Sequence, residues 1–154
     1  MAQLKMKDYT NTIMIEPPRN AWGLQTVKIK GSDLYPGCPV TQTGETVPEV
    51  VSGGTANDVF YGVLLDDADH GLDVVYTAGD FVTCMMAGSG GACWTYLKAN
   101  EGSVHVGTRL HTDAGTGIYT IIAESMLYEN VGLIIEYSAT DASNDRPVKV
   151  VLSG

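Results

Sequence analysis

Tyr76-Thr77-Ala78-Gly79-Asp80-Phe81-Val82-Thr83 decides the fold, because its pattern occurs three times in the chain. Gly79 precedes the apolar strand starter Val82. Gly37 precedes Val40 in Leu34-Tyr-Pro-Gly-Cys-Pro-Val40, and Gly107 precedes Leu110 in Val104-His-Val-Gly-Thr-Arg-Leu110. A second glycine closes each following strand, at Gly88, Gly44 and Gly115 respectively. Glycine permits the positive φ that tight turns need, and alternating apolar residues after it suit a half-buried strand. The repeated unit is a turn, a short strand and another turn. A chain written this way is expected to be all-β, a small barrel or sandwich-like domain with at most short helices.

Composition agrees with that reading and narrows the function. The chain has 154 residues, 18 glycines and only 18% charged residues, which suits one β-rich body with many turns. Aromatics are 8% of the chain, so its core must rest on aliphatic residues, Ala and Met. From Gly31 to Leu97 there are nine acids and no Lys or Arg. Such a surface repels a phosphate backbone, so no nucleic-acid partner is expected. No run of 18 apolar residues is present, and residues 1–20 lack the apolar stretch of a secretion signal, so no membrane partner is expected either. Cys38, Cys84 and Cys93 are an odd set without CxxC spacing and read as free thiols made in a reducing cytoplasm. A pairing of Cys84 with Cys93 across the turn Ala87–Ala92 is the alternative.

Residues 1–22 differ from the rest. They carry Lys5, Lys7 and Arg19, three of the nine basic residues, together with Pro17-Pro18. Proline forbids helix continuation and ladder donation, so this piece reads as an extended arm preceding a body over 23–154. Thr12-Ile13-Met14-Ile15 is its one strand candidate, able to join its own sheet or a neighbour's. In the body, strands are expected over Trp22–Lys30, Val47–Val51, Val59–Leu65, Leu72–Thr77, Phe81–Met86, Leu110–Thr112, Ile118–Ala123, Val131–Glu136 and Pro147–Leu152. Val59–Leu65 is a continuous apolar run and should be buried on both faces. Leu110–Thr112 and Ile118–Ala123 read as a hairpin. Ala92–Ala99 suits either a helical turn or a strand. Val131-Gly-Leu-Ile-Ile-Glu136 echoes Tyr61-Gly-Val-Leu-Leu65.

Three constellations could carry chemistry, and none has the surroundings it needs. Ser89 in Ala87-Gly-Ser-Gly-Gly91 faintly resembles a nucleophile elbow, which requires strand, sharp turn and helix with an acid and a histidine following. Glu101, His105 and His111 follow, but the chain lacks the alternating β/α pattern of that enzyme class. Asp67, Asp69 and Asp73 do not match calcium-loop spacing and read as a solvated acidic turn. His105, His111 and Asp113 are two histidines and an acid on unproven strands, too little for a zinc site. No catalytic residue, cofactor or metal is therefore expected, and the chain does not read as an enzyme.

Taken in order, the units resemble those of the head decoration (cement) proteins of tailed phages and related viruses. The matching residues are Tyr35-Pro-Gly-Cys-Pro-Val40, Gly62-Val-Leu-Leu65, Thr77-Ala-Gly-Asp-Phe-Val82, Val106-Gly-Thr-Arg-Leu110, Val131-Gly-Leu-Ile134 and Val148-Lys-Val150. The resemblance spans roughly residues 24–152, with extra length here around 84–104 and 137–147. It implies a homotrimer on the outer surface of a virion, bound to the major capsid protein, stabilising the shell and anchored in part by an N-terminal arm. Continuous apolar strands, beyond what one small barrel needs, also point to an oligomer. The capsid-binding residues expected in the arm are Lys5, Lys7, Thr12, Ile13, Met14, Ile15 and Arg19. Main-chain pairing around Ile13 and Ile15 would supply affinity, and the arm would order only on the shell. The alternative is a carbohydrate- or cell-surface-binding module of a virion, using Trp22, Trp94 and Tyr96.

Overall fold

The computed structural model describes residues 5–30, 34–42, 49–52, 60–98, 104–112, 119–121, 132–137 and 144–152. Its strands are β1 Met14–Glu16, β2 Leu24–Ile29, β3 Pro39–Gln42, β4 Glu49–Ser52, β5 Phe60–Leu64, β6 Phe81–Met86, β7 Ala92–Leu97, β8 Arg109–Thr112, β9 Tyr119–Ile121, β10 Gly132–Tyr137 and β11 Arg146–Val151. The helical segments among the described residues are single 3-10 turns at Met6–Asp8 and Ala21–Gly23. The protein is all-β, and among the described residues no helix is long and apolar enough to cross a membrane.

The strands form two rings with one topology. In the first, a closed barrel, β2 runs parallel to β4, while β2–β6, β3–β4, β3–β5 and β5–β6 are antiparallel. In the second, β7 runs parallel to β9, while β7–β11, β8–β9, β8–β10 and β10–β11 are antiparallel. Each strand of the first ring therefore has a counterpart in the second, in the same order. β1 from the arm adds to the edge of β7 beside Ala92 and Cys93. The barrel or sandwich-like all-β body expected from the sequence is thus built from two barrels, a repeated five-strand unit, the second closed through the β7–β9 pairing.

The glycine turns show why the pattern repeats. Gly37, Gly79 and Gly107 have φ of 94°, 97° and 92°, where a side chain would be strained. Each turn is closed from the residue after the glycine: Cys38 N donates to Tyr35 O, Asp80 N to Thr77 O and Thr108 N to His105 O. Each is then clamped to a neighbouring strand. Gly37 N donates to Leu64 O and Leu64 N to Cys38 O; Gly107 N donates to Ile134 O and Ile134 N to Thr108 O. Gly79 N and Asp80 O hold Ile29 in the same way. The apolar residue that follows, Val40, Val82 or Leu110, is buried each time.

The apolar run in β5 is buried on both faces because it divides two cores. Leu64 packs with Val27, Ile29, Val40, Val82 and Cys84 inside the first barrel. Val63 packs instead with Met85, Leu97, Ile134, Val148 and the arm residues Met6 and Ile13. The second barrel buries part of the apolar content taken from sequence as a sign of an oligomer, while Val74, Val75, Phe81 and Val106 remain exposed.

One segment differs from the sequence reading, and one left open is decided. Leu72–Thr77 is not a strand: only Tyr76 bridges, to Leu34, and Val74 N closes a turn onto Gly71 O. Ala92–Leu97, read as either a helical turn or a strand, is a strand paired along its length with β11. Gly44, Gly115 and the connection Asp113–Gly117 lie outside the described residues, whereas the expected β8–β9 hairpin pairing is present.

Candidate functional site

The arm is extended, as its prolines require, and it is seated on the body. Met6 and Ile13 are 1% and 0% exposed and belong to the core between the barrels. Met6 N donates to the Tyr96 hydroxyl at 3.3 Å, and burial pushes that phenol up to about 12. Asp66 is the main polar anchor: its Oδ1 accepts from Ile13 N at 2.8 Å and from the Thr12 hydroxyl at 3.1 Å. Trp94 N donates to Ile13 O at 2.9 Å, which starts the β1–β7 ladder, and Arg19 N donates to Ser89 O. These bonds occupy backbone groups of Ile13 that were expected to pair with a partner strand.

The expected arm residues separate into inward and outward sets. Ile13 is buried, and Met14 is half-buried opposite Cys93. Lys5, Lys7, Thr12, Ile15 and Arg19 are exposed. Lys7 pairs with Asp73 at 3.0 Å; that hydrogen bond and charge hold the ammonium above its ordinary pKa and the carboxyl below its own. Both groups are well solvated, so the pair contributes little to stability. It does show that part of the charge contrast between arm and body is satisfied within the chain. Among the described residues no strand lies beyond β1 on its outer side, so Met14–Glu16 forms a sheet edge.

The remaining candidates do not converge. Ser89 is 1% exposed, its turn joins β6 to β7, and its Oγ accepts from Gly91 N. That setting is strand–turn–strand, without the helix of a nucleophile elbow. Asp67 caps Asp69 N and His70 N and contacts His70 Nδ1 at 2.9 Å, while Asp73 faces Lys7. His70 is raised above its ordinary pKa by the Asp67 hydrogen bond. His105 Nδ1 bonds Val106 O, and the side chains of His111 and Asp113 lie outside the described residues. Among the described residues no group of three or more His, Cys, Asp or Glu side chains is placed to hold a metal ion.

Trp22, Trp94 and Tyr96 do not form one platform. Trp22 is 50% exposed, but Tyr96 is 3% exposed and edge-on to Tyr35. Trp94 is half-buried, with Lys149 Nζ 5.2 Å from its ring centre and Tyr9 at 6.2 Å. The three cysteines are free and buried, and burial pushes the Cys38 thiol up to about 12 and raises Cys84 and Cys93 further.

Sequence reasoning missed Asp66, the residue that fixes the arm. Its signal was present only as one acid among several in Asp66-Asp67-Ala68-Asp69. It also missed the duplication. The echo of Tyr61-Gly62 in Val131-Gly132 and of Gly37 in Gly107 runs at a single constant spacing, which is the trace it left.

No protein-family model and no curated protein matches the chain. Among solved structures, the N base of head fiber gp8.5 of bacteriophage phi29 aligns with 15% identity and a TM-score of 0.46, covering 84% of this chain and 92% of that chain. At that score the alignment carries no argument about what this chain does.

Proposed function

We propose that the protein is a non-catalytic structural component of a virion, a decoration protein that binds the outer capsid surface and stabilises the shell as a small oligomer, with a trimer as the specific proposal. The observation that carries this reading is the set of three glycine turns. The segments on which the resemblance to decoration proteins rests are the same segments whose backbone bonds build both barrels. The resemblance therefore touches the construction of the fold, beyond the mere presence of glycine before strands. A protein of this kind works by binding the assembled shell and not its dissociated subunits, which stabilises the shell by mass action.

The seated arm refines the proposed anchor. Ile13 holds the arm from inside, whereas Lys5, Ile15 and Arg19 present one exposed apolar residue and two cations. The outer edge of β1 can accept one further strand from a capsid subunit. Because residues 5–20 are already docked, little ordering entropy remains to be lost on binding.

Co-sedimentation with full-size heads of the virus that encodes the protein tests the proposal. Saturable binding is expected, weakened by Ile15→Asp and falling as salt rises. Absence of saturable binding by the wild-type chain would defeat it. The carbohydrate-binding alternative is disfavoured because, of its three aromatics, only Trp22 is substantially exposed.

A further inference from the structure

The two barrels carry the same turn in opposite settings. In the first barrel Pro36, Gly37 and Cys38 are buried. A Cβ on Gly37 would lie 2.9 Å from Met6 Cε and 3.3 Å from Ile13 Cδ1, and Gly37 O accepts from Thr95 Oγ1 at 2.8 Å. The arm and β7 thus seal this turn. In the second barrel the turn His105–Thr108 makes the same backbone bonds but is bare. His105, Val106, Gly107 and Arg109 are exposed, Val106 to 62%, and nothing lies within 4 Å of a Cβ built on Gly107. The described part of the chain seals one of two equivalent turns and leaves the other uncovered.

A complementary surface exists elsewhere on the molecule, along the connection from β5 to β6. Val74 and Val75 are 41% and 52% exposed there, and Phe81, which opens β6, is 65% exposed. A cleft of about 210 Å³ lies between this connection and the arm, lined by Met6, Tyr35, Leu72, Val75 and Tyr96, with Lys5 and Asp73, the latter paired with Lys7, on its wall. Asp67, Asp69 and Asp73 are exposed along the same connection. The bare turn offers a branched aliphatic side chain and, three residues on, one opposite charge, Arg109.

We infer that the chain self-associates head to tail, the Val106 turn of one copy seating in the cleft beside the β5–β6 connection of a second copy, with Arg109 facing the exposed Asp69. The joint is heterologous, since two different patches meet; joints of this type give rings when their rotation closes and open filaments when it does not, and the proposal is a ring. The aliphatic side chain supplies buried apolar contact, and the opposed charges fix register and make association salt-sensitive. The inference deepens the oligomeric part of the proposed function and rests on that reading.

Light scattering and sedimentation of the full chain at micromolar concentration test it. The wild type is expected as a closed oligomer. Val106→Glu and Arg109→Glu should each weaken association by about tenfold or more, as loss of a central contact or a charge pair does. Far-UV circular dichroism should not change, because both side chains are exposed, while the thermal midpoint should lose the concentration dependence that the wild-type oligomer gives it. Adding Asp69→Lys to Arg109→Glu should restore part of the association. A monomeric wild type overturns the inference. So does an oligomer that both substitutions leave unchanged, which would mean that another surface joins the copies or that the bare turn receives a different protein. Head binding, measured on the same samples, separates the two readings. A wild type that oligomerises through this turn but ignores heads defeats decoration and leaves the joint standing.

Discussion

Gly37 and Gly107 make the same turn with φ of 94° and 92°, yet they differ in what surrounds them. Backbone strain at either position costs on the order of 1–3 kcal/mol for a non-glycine residue. Gly107→Ala should therefore destabilise by about that amount, with no packing penalty added. Gly37→Ala should cost clearly more, because its new methyl would meet Met6 Cε at 2.9 Å. Urea denaturation of the two variants checks this, and equal losses would mean that the arm does not press on the first turn. His70 offers a second residue-scale prediction. Its pKa is raised above 6.5 by the hydrogen bond to Asp67, with Asp80 3.5 Å from Nε2. The raised pKa means that its contribution is complete below the unfolded value and is lost as pH rises through the folded one. Proton-resolved titration should place His70 above an ordinary histidine, and Asp67→Asn should bring it down. An unchanged pKa in that variant would remove Asp67 as the cause.

At the scale of elements, the arm is where physical expectation shifts most. Ile13 is fully buried, so Ile13→Ala should cost about 2–5 kcal/mol, the range for emptying an aliphatic core site. Ile15 is 39% exposed, and Ile15→Ala should stay within about 0.5 kcal/mol. Thermal or chemical unfolding distinguishes them, and similar losses would contradict the inward and outward assignment. Deleting residues 2–20 should lower stability as well as head binding, because Met6 and Ile13 leave the core with it. β6 and the β8–β9 hairpin were legible because their apolar alternation is local. β5 was legible as doubly buried, but not the reason, since nothing local says that Val63 and Leu64 enter different cores. Leu72–Thr77 misled for a related reason: Leu72, Val74 and Val75 look like a strand, yet only Tyr76 finds a partner. The seat of the arm was illegible because Asp66 binds it through side-chain contacts more than fifty positions away.

At the scale of the whole molecule, the first barrel has a core of its own but also contributes to the cluster that fills the second. Val63 and Met85 from the first pack in the cluster that holds Leu97, Ile134 and Val148 of the second. Unfolding should therefore be a single cooperative transition, with fluorescence and circular dichroism coinciding. Two separate transitions would show that the barrels are independent. The twin-barrel body also gives the proposed decoration protein an asymmetric surface, with a sealed turn and the arm at one place and a bare turn at another. Imaging full-size heads with and without the protein tests decoration most directly. The predicted result is added density on the outer shell, touching it through the exposed arm residues Lys5, Ile15 and Arg19, and diminished for Ile15→Asp. Heads that show no added density at saturating protein would contradict it.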